Sequence, residues 1–214
     1  MTTPLQRFIG ADIDSLSKQY RRNFINCLSG FKSLCLCGTS SPEGSHNLSL
    51  ISSVIHVGAN PPLMAMLMRP ATVQRDTVEN IMQTGVFSLN HVHPDMVNQA
   101  HQASARYPSE VSEFDETGLT PVVYQGFSAP FVEESLLRIG LKFRERHLIT
   151  TNATMLIVGE ILVVETVGEA VSEDGFIDLE LLNSLTVSGL DSYHCTRRIK
   201  RLSYAKPDQS LREI

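Results

Sequence analysis

The chain has 214 residues, 42% hydrophobic and 19% charged, which suits one sizeable core and excludes disordered and collagen-like classes. A formal net charge of −5 gives no long-range attraction to nucleic acid or to an anionic membrane surface. The amino terminus has no cationic stretch followed by an apolar run, and the run from Met155 to Val164 is broken by Gly159 and Glu160, so neither a signal peptide nor a membrane span is expected and the expected location is cytoplasmic.

In chain order, Leu16, Tyr20, Phe24 and Leu28 recur every four residues with Lys18, Arg21, Arg22 and Asn23 between them. This predicts an amphipathic helix that Gly30 stops. Ser33 to Thr39 alternates as a strand, turns at Ser40-Ser41-Pro42-Glu43-Gly44 and returns as Ser45 to Ile51. Cys35 and Cys37 fall on one face of that strand, and with Cys27 and Cys195 they fit a reducing compartment. A buried structural pair is preferred over a redox or metal role. Val54 to Val57 continues or restarts a strand, Gly58 to Pro62 leaves the sheet because proline lacks a ladder donor, and Leu63 to Met68 re-enters it. Asp76 as N-cap with Glu79 three residues on reads as a capping box, predicting a helix from about Thr77 to Thr84 that Gly85 ends.

Val86 to His91 is the next predicted strand, and Pro94 to Ala105 has helical composition with Met96, Val97 and Ala100 on one side. Ser104 to Thr120 is polar and the least core-like interior region, with a short helical turn at Glu113-Phe114-Asp115. Val122 to Tyr124, Glu134 to His147 and Met155 to Val167 read as strands, the last two forming a hairpin through Thr150-Thr151-Asn152. Ile177 to Leu182 alternates only weakly, and Arg197, Arg198, Lys200 and Arg201 read as a solvated basic tail segment. Strands follow one another more often than they alternate with helices, and no Gly-x-Gly-x-x-Gly follows any of them. The expected class is mainly β with helices, a barrel-like sheet rather than a doubly wound fold.

The chemistry concentrates between Asn47 and Thr84. A phosphate monoester needs converging donors and positive charge, which helix amino termini and arginine forks supply. Ser52 and Ser53 leave one strand, Arg69 leaves another, and Arg75 and Thr77 flank a helix start. If the strands are neighbours, these groups converge beside a flat apolar shelf lined by methionines. The other reading is a strand end, a solvated Arg75 and an ordinary cap at Asp76.

Asn47-Leu-Ser-Leu-Ile-Ser52, Pro61-Pro62, Arg69 and Arg75-Asp76-Thr77-Val-Glu-Asn80-Ile81 follow one another as in the flavin reductase-like proteins with the FMN-binding split barrel, and the chain resembles that family from about Phe31 to Tyr204. The similarity continues through Thr84-Gly85-Val-Phe-Ser-Leu-Asn90, Phe131-Val-Glu133-Glu134-Ser135, Val158-Gly159-Glu160-Ile161 and Gly189-Leu-Asp191-Ser-Tyr193. The resemblance implies a six-stranded Greek-key split barrel over residues 31–204 after a helical extension over 1–30, in one domain. It also implies a homodimer with flavins at the subunit interface. FMN is the implied cofactor and NADH or NADPH the implied co-substrate. Carried over by position, Asn47, Ser49, Ser52 and Ser53 contact the flavin or its ribityl chain, Arg69, Arg75, Thr77 and Asn80 belong to the phosphate end, and Met66 or Met68 borders the ring. Leu50 stands where the family has proline and Val54 where it has an aromatic residue.

Hydride transfer to flavin leaves the redox chemistry to the cofactor, so no triad or carboxylate pair is needed. The expected activity is NAD(P)H-dependent flavin reduction, with the segment around His101, Ser104, Arg106 and Tyr107 covering the site. The alternative is a non-catalytic flavin-binding or electron-carrier protein. A third reading places a metal on His91, His93, Asp95 and His101; histidines before Pro94 are more often solvent-facing or hydrogen-bonded, and no metal is expected.

Overall fold

The computed structural model describes residues 4–70 and 76–214. Helices α1 (Gly10–Ser15) and α2 (Lys18–Cys27) precede strand β1 (Lys32–Ser33), the strand pair β2 (Cys35–Ser40) and β3 (His46–Ile51), and the pair β4 (Val54–Ala59) and β5 (Pro62–Met68). Then come α3 (Asp76–Thr84), β6 (Val86–His91), α4 (Val97–Gln102) after a short 3-10 turn at Pro94–Met96, and α5 (Glu113–Thr117). Strands β7 (Pro121–Tyr124), β8 (Phe127–Val132), β9 (Leu137–Ile149), β10 (Thr154–Thr166), β11 (Thr186–Ser188) and β12 (Ser192–His194) complete the order. No helix among the described residues is long and apolar enough to cross a membrane.

The main sheet is antiparallel and runs β3-β2-β6-β9-β10-β5-β4. It has seven strands rather than the six the resemblance implies, and no ladder joins its two edges. The chain itself draws those edges together. β3 ends at Ile51 and β4 begins at Val54, so opposite edges of the sheet lie no more than about 11 Å apart at that corner, given ~3.8 Å between successive Cα atoms. The sheet therefore curls around its interior without closing.

One core, which includes Cys35, Cys37, Met66, Phe87, Leu141 and Ile157, fills one face of the sheet. A second, which includes Leu34, Leu36, Leu48, Met96, Phe114 and Val132, covers the other. Strand β2 is buried along its whole length: Cys35 and Cys37 enter one core and Leu36 the other, Gly38 lies against Pro130, Thr39 bonds Asn47 and Asn80, and Ser40 bonds Ser128 O. Cys35 and Cys37 share a face as expected and are free and buried; burial pushes the Cys35 thiol up to about 12 and the Cys37 thiol up as well.

Several expectations change for physical reasons. Gly58 and Ala59 stay in the ladder, with Ala59 opposite Pro62, because a proline that opens a strand need not donate. Strand β8, which contains Pro130, is not among the strands expected from the sequence. It pairs only with β7, and Pro130 contributes its carbonyl, which accepts from Ser88 Oγ at 2.5 Å. Glu134 is outside β9; its carboxylate instead accepts from Thr120 N and Oγ1 at 3.0 and 2.9 Å. The polar region from Ser104 to Thr120 contains buried Phe114 and Leu119. Glu113 Oε2 accepts from Leu48 N at 2.9 Å, satisfying a donor on the edge strand β3. Helix α2 forms where the periodicity puts it, yet none of its residues is buried. Phe24 instead packs against Phe8 and Tyr20, with ring centroids 5.0 and 6.2 Å apart.

His91 closes β6 with its Nδ1 2.7 Å from Ser184 Oγ. Burial pushes its imidazolium down to about 4 from 6.5. Between those values the unfolded chain takes up a proton that the folded one does not, so stability falls as pH drops from about 6.5 to about 4, by up to about 3 kcal/mol. Urea unfolding across that range checks this: His91→Asn, whose amide can stand in for Nδ1, should flatten the profile, and an unchanged slope would move the effect to other groups.

Candidate functional site

Alternation along β3 sends Asn47, Ser49 and Ile51 to one face and Leu48 and Leu50 to the other. The first turn of α3 lies against the polar end of the first set. Asn47 Nδ2 donates to Thr39 Oγ1 at 3.0 Å and to Thr77 Oγ1 at 3.1 Å. Asn80 Nδ2 donates to the same Thr39 oxygen at 3.2 Å, and the hydroxyls of Ser49 and Thr77 are in hydrogen-bond contact. Asn47, Thr39, Thr77 and Asn80 are all buried. Buried polar groups of this kind hold geometry when each is satisfied, and here they pin the start of α3 to the β2–β3 pair. Gly85, with φ +76° and its N–H on Ile81 O at 2.9 Å, ends the helix as expected. The described part of α3 runs from Asp76 to Thr84.

A second polar group lies at the far end of β3, in the link between the sheet edges. Ser53 O accepts from Leu67 N at 3.0 Å, which places Ser52 and Ser53 beside the end of β5, where Arg69 emerges exposed. Neither serine hydroxyl bonds another described residue, and both residues keep some surface. Ser33 Oγ donates to Val54 O at 3.3 Å, so β1 borders the same corner.

The sequence-derived site thus divides in two. Asn47, Ser49, Thr77 and Asn80 come together on β3, and Ser52, Ser53 and Arg69 lie past its end; at ~3.3 Å per residue Ser52 is about 10 Å along the chain from Ser49 and about 16 Å from Asn47. Thr77 turns its hydroxyl inward, to Asn47 and Ser49. Arg75 lies outside the described residues. Met66 and Met68 are buried, with Met64 packed partly against the same core. The methionines therefore face inward and form no open shelf, since residues two apart on a strand share a face.

A cleft of about 240 Å³ opens beside the α3 start, lined by His46, Asn47, Asp76, Asn80, Ser109 and Val111 among others. The segment after α4 lines this cleft through Ser109 and Val111, with His101 engaged elsewhere. That histidine instead places Nδ1 2.5 Å from Tyr193 Oη. A larger cleft of about 310 Å³ lies at the carboxyl-terminal segment. Its arginines are engaged: Arg198 pairs with Asp178 at 2.9 Å and Arg201 with Asp174 at 2.5 Å, and both lie over the Phe176 ring. Those two arginines are therefore not a loose solvated tail.

The histidines of the metal reading go to separate partners, His91 to Ser184, His93 to Glu134 O at 3.0 Å and His101 to Tyr193. No group of three or more histidine, cysteine, aspartate or glutamate residues able to hold a metal occurs among the described residues. Sequence reading missed Thr39. Nothing local marks Thr39, whose role depends on the β2–β3 register that puts it opposite Asn47.

Residues 29–185 match the family model described as flavin reductase like domain. A crystal structure from Shewanella frigidimarina NCIMB 400, provisionally assigned as a flavin reductase with a split barrel domain, is 48% identical, with 94% of this chain and 100% of that chain covered and a TM-score of 0.90. Nitrilotriacetate monooxygenase component B from Bacillus cereus superposes with a TM-score of 0.80 at 19% identity, over 94% of this chain and 100% of that one. The flavoredoxin of Desulfovibrio vulgaris (Miyazaki F) does so with a TM-score of 0.70 at 22% identity, over 96% and 99%. The last two likenesses concern the fold alone.

Proposed function

The chain belongs to the flavin reductase like domain family, and we propose that it binds FMN and catalyses reduction of flavin by NADH or NADPH. The observation that carries this reading is the set of polar side chains on and just after β3: the buried network of Asn47 with Ser49, and beyond Ile51 the hydroxyls of Ser52 and Ser53, which bond no described residue. Its donor set fits a polyol phosphate, since it offers hydroxyls and the Arg69 guanidinium.

When bound, the flavin supplies the redox chemistry by accepting a hydride from the nicotinamide. The chain's residues bind and orient. Ser52 and Ser53 donate hydroxyls to the ribityl chain, and Arg69 and Arg75 supply positive charge to the phosphate end. Asn47, Ser49, Thr77 and Asn80 hold the described amino-terminal end of α3, and a helix start favours an anion. Thr77 contributes its main-chain N–H, because its hydroxyl is committed to Asn47 and Ser49. Met68 supports the site from within the core.

A homodimer belongs to the same reading. Ile9, Tyr20, Ile25, Leu28 and Phe31 expose apolar surface that a second copy would cover, and light scattering on the purified protein reads it directly.

The purified protein should bind FMN, and anaerobic addition of NADH or NADPH should bleach its flavin absorbance. Flavin that binds but stays oxidised with both nucleotides would leave a non-catalytic flavin carrier. No binding of FMN, FAD or riboflavin would sink the flavin assignment itself.

A further inference from the structure

Strand β3 is an edge strand of the main sheet, paired there only with β2. Leu48 stands on it between Asn47 and Ser49, the two β3 members of the polar network that holds α3. In an antiparallel pair the main-chain groups of alternate residues point away from the ladder. Leu48 N is such a group, and it donates to Glu113 Oε2 at 2.9 Å, a charge-assisted bond. The Leu48 side chain is buried in the second core together with Phe114, the next residue of α5, and the His46 and Phe114 ring centroids lie 6.2 Å apart. Helix α5 therefore grips β3 twice at one place, by a carboxylate on its main chain and by a ring in the core that buries its side chain.

The segment leading into α5 also forms part of the α3 cleft, where Ser109 and Val111 join His46, Asn47 and Asn80 in the lining. Val111 is two residues before Glu113, so at ~3.8 Å per residue no more than about 8 Å of chain separates that lining from the grip. Burial pushes the Glu113 carboxyl above its usual range, the bond from Leu48 N opposes the rise, and the charge of Asp76 adds to it. A partly desolvated carboxylate near a second acid is a poor choice for stability alone.

We propose that Glu113 is a positioning residue for the ligand site: through Leu48 N it fixes the main chain between Asn47 and Ser49 and holds Ser109 and Val111 against the α3 cleft. The role rests on the nucleotide-binding reading above. Glu113 acts through β3 and its own segment rather than by touching the ligand.

The test compares Glu113→Ala, which removes the acceptor, with Glu113→Gln, which keeps an oxygen acceptor without the charge, and with Glu116→Ala, an exposed control on the same helix. Titrated with FMN well below each variant's Tm, Glu113→Ala should bind about tenfold more weakly, the scale of one hydrogen bond to a charged group, and Glu113→Gln should return to within about threefold of the unaltered protein. Glu116→Ala should bind as the unaltered protein does. Equal affinity in Glu113→Ala would overturn the proposal and leave Glu113 as edge protection only. A loss that Glu113→Gln does not restore would overturn it as well, by placing the effect on the charge. If the unaltered protein binds no flavin, the nucleotide reading fails by itself, and amide hydrogen exchange still decides the tie: Glu113→Ala should speed exchange at Leu48 and across residues 109–112, and unchanged exchange at both sinks it. Should Glu113→Ala not fold, Glu113→Asp, whose shorter side chain cannot keep the 2.9 Å bond, takes its place under the same criteria.

Discussion

Gly38→Ala should destabilise the protein by about 3 kcal/mol or more, the upper range for forcing atoms into a filled core. A β-carbon at position 38 would overlap the Pro130 carbonyl oxygen and stand 2.6 Å from Ser88 Oγ. The first obstacle is backbone and cannot rotate away. Relief requires the β7–β8 pair to lift from β2 and β6, and three bonds hold it there: Ser88 Oγ to Pro130 O, Ser40 Oγ to Ser128 O at 2.7 Å, and Val132 N to Asn90 Oδ1 at 3.0 Å. For a chain of this size the loss corresponds to about 6–12 °C in Tm. Gly168→Ala is the control, since nothing lies within 4 Å of its added carbon and its φ is not positive. Equal stability of the two variants would mean that β8 is not seated on β2 as described.

Asn47→Leu should cost about 2–3 kcal/mol, the loss of two buried hydrogen bonds without compensation, and should weaken FMN binding by tenfold or more if the flavin reading holds. The leucine is similar in volume, so the effect isolates the amide. Its two acceptors, Thr39 Oγ1 and Thr77 Oγ1, each keep one partner, Asn80 and Ser49 respectively, which is why the fold should survive. A double-mutant cycle with Thr77→Val tests whether the group acts as a unit: contacting residues in one network couple by about 0.5–3 kcal/mol, and strictly additive losses would refute the network. Stability loss with unchanged flavin affinity would separate the network from the ligand site.

Legibility followed the range of the interaction involved. The β2–β3 hairpin, the α3 start near Thr77, its end at Gly85 and the β9–β10 hairpin were readable because each is set by periodicity, a turn or a left-handed glycine within a few residues. Strand β8 was not, because Pro130 opposes a strand locally and is tolerated only where one side of the strand lacks a ladder. The methionines of β5 illustrate the same limit: alternation told that Met64, Met66 and Met68 share a face, and only packing told that this face is the interior. Helix α2 shows the converse, an apolar stripe that is real and yet uncovered within the chain.

The candidate site divides along the same line. Its residue types, hydroxyls and amides on β3 followed by Arg69 and a helix start, were set by the sequence alone, as were the mainly β class and the family resemblance. Tertiary structure decided that Thr77 looks inward to Asn47, that Ser52 and Ser53 span the gap between sheet edges, and that the Lys32 side chain reaches Gly189 O. Those outcomes depend on pairings between residues up to 157 positions apart, such as Lys32 with Gly189. Periodicity specifies which side chains share a face of one element; which element lies against that face is determined by the packing of the whole sheet.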